Sequence, residues 1–205
     1  MLDPIAVSHG EYYRLLSVTL LHASVLHLGM NMLALVYIGI IEDGEKLFGS
    51  WRFLGIYLLS GLGASLASVI FTHEQSVGAS GAIMGVLGAL IAGRLVSIWT
   101  LNTYPELSDW GTHKHRSPGK LRAYLVAQRR SLNILCQCVA LTLGLGLFLL
   151  LIGQNTLDNA AHTGGVVTGF ILGGLCYIRT ILILARRRFR RTSDFPEVIV
   201  SLPEE

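Results

Sequence analysis

The chain has 205 residues, of which 52% are hydrophobic and only 14% charged, whereas a soluble domain carries charge on about a quarter of its residues. That composition excludes an ordinary soluble domain. The net charge of +3 comes with no aromatic-interleaved basic patch, which argues against nucleic-acid binding. Cys136, Cys138 and Cys176 all lie in apolar runs. Their spacing resembles neither a disulfide framework nor a zinc site, so they read as packing residues of a membrane core.

Five runs are apolar enough to cross a bilayer core that needs ~20 helical residues. They lie near residues 25–41, 53–71, 77–99, 134–152 and 160–185. The expected fold is all-α, a polytopic membrane helical bundle with five predicted spans. Three parts follow in order: an outward-facing, interfacial N-terminal segment (1–24), a membrane domain (25–185), and a basic then acidic cytoplasmic tail (186–205). The last run is overlong, and Arg179 marks its expected exit from hydrocarbon. No basic region followed by an apolar stretch opens the chain as a signal peptide would.

Lys and Arg set the expected orientation. Lys46 and Arg52 follow the first run, and Lys114, Arg116, Lys120, Arg122, Arg129 and Arg130 follow the third. Arg186, Arg187, Arg188, Arg190 and Arg191 follow the last. The connections at 72–76 and 153–159 carry none. The first and third loops and the C-terminus are therefore expected in the cytoplasm. Arg94, near the inner end of its run, is expected to snorkel to the cytoplasmic surface.

This orientation makes the first, third and fifth runs descend from outside to inside. His27, Asn31, Ser80 and His162 each lie near the start of one of them, hence at one depth in the outer part of the membrane. Strongly polar groups at such depth are expensive, and their default reading is functional. Ser80, in Gly78-Ala79-Ser80-Gly81, is the candidate nucleophile, and His162, in Ala161-His162-Thr163-Gly164-Gly165, the candidate base. No Asp or Glu is read at the right depth to orient the histidine, so the expectation is a dyad. Asp158 is assigned to the outward loop. Gly81 and Gly85 form a small-xxx-small pair, and Gly165, Gly169 and Gly173 share a face with His162. Such faces let helices approach closely. Gly78 and Gly81 leave room for substrate and for amides aimed at an oxyanion. His27 and Asn31, four residues apart, share a helix face and can both donate hydrogen bonds. His22 is expected near the outer interface, bonded to backbone or water.

Each signal has a plainer explanation. A serine in a membrane helix often bonds a backbone carbonyl, and a lone histidine often packs or relays protons. His27 with Asn31 can be interhelical glue. Their coincidence at one depth, on glycine faces and in this order, favours a site.

The chain resembles the rhomboid intramembrane serine proteases over residues 4–177. The stretch from His22 through His27 to Asn31 is similar to the family's H-x4-H-x3-N pattern. Gly78-Ala79-Ser80-Gly81 is similar to its GxSG motif, and Ala161 to Gly169 to its A-H-x-x-G-x-x-x-G motif. The resemblance implies Ser80 as nucleophile, His162 as general base, and His27, Asn31 and the Ser80 amide as the oxyanion hole. It implies cleavage of transmembrane proteins with no metal and no cofactor. Gly78, Gly81, Met84 and Gly165 would shape the site. The family pattern has six core helices, so the usual first core helix is read as absent. Tyr13-Arg14 stands where the family often has Trp-Arg. Met84 stands where an aromatic often packs on the imidazole.

The expected function is an intramembrane serine endopeptidase acting in or near transmembrane segments. Its expected partners are transmembrane protein substrates and the lipid bilayer, with no nucleic acid. The expected location is a bacterial cytoplasmic (inner) membrane with the C-terminus cytoplasmic. The alternatives are a catalytically silent rhomboid-like protein that binds transmembrane clients, and a small transporter or channel with His27 and His162 as a proton relay.

Overall fold

A computed structural model describes residues 1–72, 75–104, 118–152 and 157–193. Residues 105–117 of the expected third loop and the acidic end of the expected tail lie outside the described residues. Among those described, the elements are all helical, joined by turns and one isolated β-bridge. They are α1 (Pro4–Ser8), α2 (Arg14–Ser17, continuing as a 3-10 turn Val18–Leu20), α3 (Val25–Val36, continuing as a π-helical turn Tyr37–Ile41) and α4 (Gly44–Phe48). The long helices are α5 (Ser50–Phe71), α6 (Ser80–Thr103), α7 (Pro118–Leu151) and α8 (Asn159–Ser193).

Four helices are long and apolar enough to cross a membrane: Ser50–Phe71, Ser80–Thr103, Leu121–Leu151 and Asn159–Ile183. The first expected span stands apart. Residues 25–41 rise only about 25 Å as a helix, short of the ~30 Å hydrocarbon core. They qualify only jointly with Arg14–Leu20, from which they are bent by 92°. Among the described residues the span count is therefore four, or five if this bent pair is one. Other boundaries shift as well. The third span starts at Ser80, because Gly78 takes φ +131° and breaks the backbone before it. The fourth begins at Pro118, well ahead of its apolar part. The fifth continues past Arg179 without interruption.

The N-terminal segment is anchored by local chemistry. The Asp3 carboxylate caps α1 by accepting from Ile5 N–H at 2.9 Å and Ala6 N–H at 3.4 Å. Chiefly through the Ala6 N–H, its pKa is held below the usual carboxylate value. The other Asp3 oxygen accepts from Gln75 Nε2 at 3.0 Å. Leu2 and Ser76 exchange both backbone hydrogen bonds, at 2.9 and 3.0 Å. Leu2, Val7, Leu15 and Val18 form a small buried cluster against Leu62 and Val69 of α5.

At the centre lies α6, with 83% of its apolar window buried, against 33% for α5 and 11% for α7. Large apolar side chains cover the outside: Val25, Leu26 and Leu33 on α3, Leu141 and Leu151 on α7. Such a surface fits hydrocarbon and not water. The inner contact between α6 and α8 is backbone to backbone. A Cβ on Gly169 would overlap the Gly85 carbonyl, and one on Gly88 would overlap the Val166 carbonyl. Only glycine allows this approach.

Arg94 does not snorkel. It is 8% exposed, inside the bundle. Its guanidinium donates to the Glu42 carbonyl at 2.6 Å and to Gln128 Oε1 at 2.7 Å, and lies 3.9 Å from Glu42 Oε2. Glu42 also accepts from Tyr37 Oη at 3.0 Å and from Ser131 Oγ. The reason is the central position of α6. Protein surrounds the side chain, and a buried charge persists only when paired and hydrogen-bonded.

Candidate active site

The segment entering α6 is held from several sides. The Leu2–Ser76 bridge fixes one end, and Gly78 N–H donates to the Val18 carbonyl at 3.4 Å. Ser80 is the first residue of α6. Its backbone N–H therefore belongs to the first turn, where amides lack intrahelical acceptors. A cavity of about 640 Å³ opens here, lined by Ser80, Gly81, Gly78, His27, Asp158 and His162 among others.

His162 lies in the first turn of α8 and is 3% exposed. Its Nε2 is 3.0 Å from Ser80 Oγ. With the Ser80 hydroxyl donating to Nε2, the neutral ring carries its own proton on Nδ1. That Nδ1 is buried without a hydrogen-bond partner among the described residues. Asp158, expected in the outward loop, lines the same cavity but does not bond the ring. One of its oxygens accepts from Ala161 N–H at 2.8 Å, and the other from Ser68 Oγ at 2.5 Å.

The Ser24 hydroxyl starts α3 by accepting from His27 N–H at 3.1 Å. His27 and Asn31 then point from one helix face to the segment before the nucleophile. A Cβ on Gly78 would lie 2.7 Å from His27 Cε1, 3.0 Å from His27 Nε2 and 3.8 Å from Asn31 Nδ2. Both donors thus converge two residues before Ser80. Asn31 is buried, and its Nδ2 has no acceptor among the described residues. His22 does not sit free at the interface. Its Nε2 is buried without a partner, and its ring meets that of His27 edge to face, with centroids 5.4 Å apart.

The remaining expected residues divide. Gly81 and Gly165 serve the helix contact: a Cβ on Gly81 would sit 2.6 Å from Ala64 Cβ, and one on Gly165 would overlap the Gly81 carbonyl. Met84 is buried in the apolar core around Ile83, Val86 and Leu87, away from the cavity lining. Ser68, Gln75 and Leu2 line or brace the site without having been singled out. A serine or glutamine near a helix end carries no sequence signal of its own. Asp158 did carry one, as an N-cap residue directly before an apolar helix. Among the described residues, no three His, Cys, Asp or Glu side chains are grouped to hold a metal ion.

A nucleophile candidate, an imidazole in hydrogen-bond contact with it and the His27 ring line one cavity, with Asn31 converging on Gly78 beside it, a set suited to acyl transfer. Comparison with known proteins points to one family. The Rhomboid domain family model matches residues 9–105. RHOMBOID-like protein 4 of Arabidopsis thaliana is 37% identical over 174 residues, covering 84% of this chain and 36% of the relative. Rhomboid protease GluP of Bacillus subtilis (strain 168) is 34% identical over 164 residues, 80% of this chain and 26% of the relative. Rhomboid protease AarA of Providencia stuartii is 31% identical over 186 residues, 82% of this chain and 57% of the relative. The chain thus spans from about a quarter to just over half the length of these relatives. No solved structure matches it. With its helical membrane bundle and these relatives, the chain belongs to the rhomboid family.

Proposed function

We propose that this protein is an intramembrane serine endopeptidase that cleaves transmembrane proteins by a Ser80–His162 dyad. The observation that carries the reading is the 3.0 Å contact between Ser80 Oγ and His162 Nε2, both lining one cavity at the start of two apolar helices. Ser80 Oγ attacks the scissile carbonyl carbon while His162 Nε2 takes its proton. The resulting oxyanion is held by His27, Asn31 and the Ser80 backbone N–H. His162 then gives the proton to the leaving amine, and a water, deprotonated in turn by His162, hydrolyses the acyl-enzyme. Substrate helices reach the site from the bilayer, and water enters from the polar side lined by Gln75, Ser76 and Asp158. In a bacterial cytoplasmic membrane, the Lys and Arg distribution sets this side outward and the C-terminus in the cytoplasm. The test is a purified chain given a transmembrane reporter. Cleavage by the parent protein, lost in a folded Ser80→Ala variant, supports the reading. Equal cleavage by both removes Ser80 from the nucleophile role, and no cleavage by either favours a silent, client-binding protein.

A further inference from the structure

The first turn of α8 is tied to α5 by a carboxylate that the proposed reaction does not use. Asp158 Oδ1 accepts from Ala161 N–H at 2.8 Å, which caps the helix. Oδ2 accepts from Ser68 Oγ at 2.5 Å. The Asp158 carbonyl accepts from His162 N–H at 3.0 Å, the first intrahelical bond of the candidate base. Ser68 is fully buried on α5 and is itself fixed, 3.2 Å from Thr72 Oγ1. One residue therefore sets where α8 begins and fastens that start to a neighbouring helix, one turn from His162.

We propose that Asp158 is a positioning residue that, with Ser68, holds His162 Nε2 at the height of the Ser80 hydroxyl. This rests on the dyad reading above. The need for it comes from the glycine contact. Gly165 and Gly169 face the Gly81 and Gly85 backbone, and Gly173 faces Ala89, so this contact has no side chain longer than a methyl to interlock. Such a face sets the distance between α6 and α8 but resists axial sliding poorly. Among the described residues, the Ser68–Asp158 bond is the side-chain bond that ties this turn to another helix, apart from Ser80–His162 itself.

Two other roles for Asp158 fit less well. An orienter of the ring would bond His162 Nδ1, which has no partner, while both carboxylate oxygens are engaged elsewhere. A bare helix cap needs only Oδ1 and gives no reason for a bond to buried Ser68.

The experiment uses the full chain in lipid and three variants. Ser68→Ala removes the tether and keeps the cap. Asp158→Ala removes both. Asp158→Asn keeps both, because its Oδ1 can accept from Ala161 N–H and its Nδ2 can donate to Ser68 Oγ. The readouts are kcat and KM on a transmembrane reporter, and the 15N resonance of His162 Nε2, with Ser80→Ala marking the value without the serine bond. We expect Ser68→Ala and Asp158→Ala to lose about tenfold to a hundredfold in kcat with little change in KM, the scale of a ~1 Å misplacement. Both should lose the Ser80-dependent 15N shift, and Asp158→Asn should stay within about threefold of the parent by the same geometric reasoning. Parent kcat and an intact 15N shift in Ser68→Ala overturn the proposal. So does an Asp158→Asn variant as impaired as Asp158→Ala, which would make the charge and not the geometry decisive. If the parent itself shows no turnover, the protease reading fails, and the 15N shift in Ser68→Ala alone decides the positioning role.

Discussion

Replacing Gly169 by alanine tests whether the backbone contact of α6 and α8 holds the proposed dyad together. Gly169 lies seven residues after His162 and does not line the cavity. A Cβ there would overlap the Gly85 carbonyl group and lie 2.7 Å from Gly85 Cα. Carbon atoms pack at about 3.5–4.0 Å, so α8 has to retreat from α6 by about 1 Å. Carried to the first turn of α8, that shift stretches the 3.0 Å Ser80–His162 bond to about 4 Å, beyond hydrogen-bond range. The overpacking itself costs about 1–3 kcal/mol of stability. A misplacement of about 1 Å near reacting atoms costs on the order of a hundredfold in rate, or about 2.7 kcal/mol of barrier. Gly144→Ala on α7 is the control, since its Cβ would meet nothing within 4 Å. It should leave activity unchanged and favour the helix by up to about 1 kcal/mol. The assay is kcat on a transmembrane reporter, with the rate at which a serine-directed phosphonate labels Ser80 and the melting temperature measured alongside. Gly169→Ala should label and turn over on the order of a hundredfold more slowly while still folded in the cold. A folded Gly169→Ala protein with parental kcat and labelling rate would refute the reasoning.

Three further outcomes are expected. Asn31→Ala and His27→Ala should each lower kcat by the equivalent of about 2–4 kcal/mol with little change in KM; parental turnover with a lowered melting temperature would assign them to structure instead. Glu42→Ala strands Arg94 without its carboxylate inside the bundle and should destabilise by about 3–5 kcal/mol, read as a fall in thermal midpoint; an unchanged midpoint would mean the network contributes nothing. The Asp3 carboxylate, with its pKa below the usual value chiefly through the Ala6 N–H, stabilises the N-terminal tether at neutral pH. Its contribution is lost only as pH falls through that lowered value. Hydrogen-exchange protection of Leu2 and Ser76, taken relative to the intrinsic rate at each pH, should therefore hold as pH falls through the mildly acidic range, and a loss of protection beginning near neutrality would contradict this.

The contact between Ser80 and His162 was legible because a serine and a histidine in apolar runs stand out, and the expected alternation of loop charge puts both at one depth. The spacing of His27 and Asn31 is a helix repeat, and their convergence on Gly78 follows from it. The glycine faces were legible for the same reason, since Gly165, Gly169 and Gly173 recur at four-residue intervals. Arg94 failed for a reason no single run contains. Hydropathy treats each helix as alone in lipid, whereas burial depends on which helix the others surround. Glu42, the carboxylate that makes Arg94 tolerable inside, follows another helix altogether. The first span was legible only in part: residues 25–41 are apolar but qualify only jointly with Arg14–Leu20, from which they are bent by 92°. Ser68 carries no signal because a serine in an apolar helix is unremarkable until its partner is known.

The two halves of the candidate site are supported unequally, and that bears on how it could work. The candidate nucleophile and base sit on α6 and α8, whose backbones touch, so their separation can change only if the helices part or slide against the Ser68–Asp158 bond. The donors sit on α3, whose Val25, Leu26 and Leu33 face outward. They meet the rest of the site through the backbone at Gly78, where the φ of +131° and a Cβ-free surface admit the His27 ring at close range. The proposed oxyanion donors therefore depend on how α3 seats against Gly78, whereas the Ser80–His162 contact depends on the packing of α6 against α8.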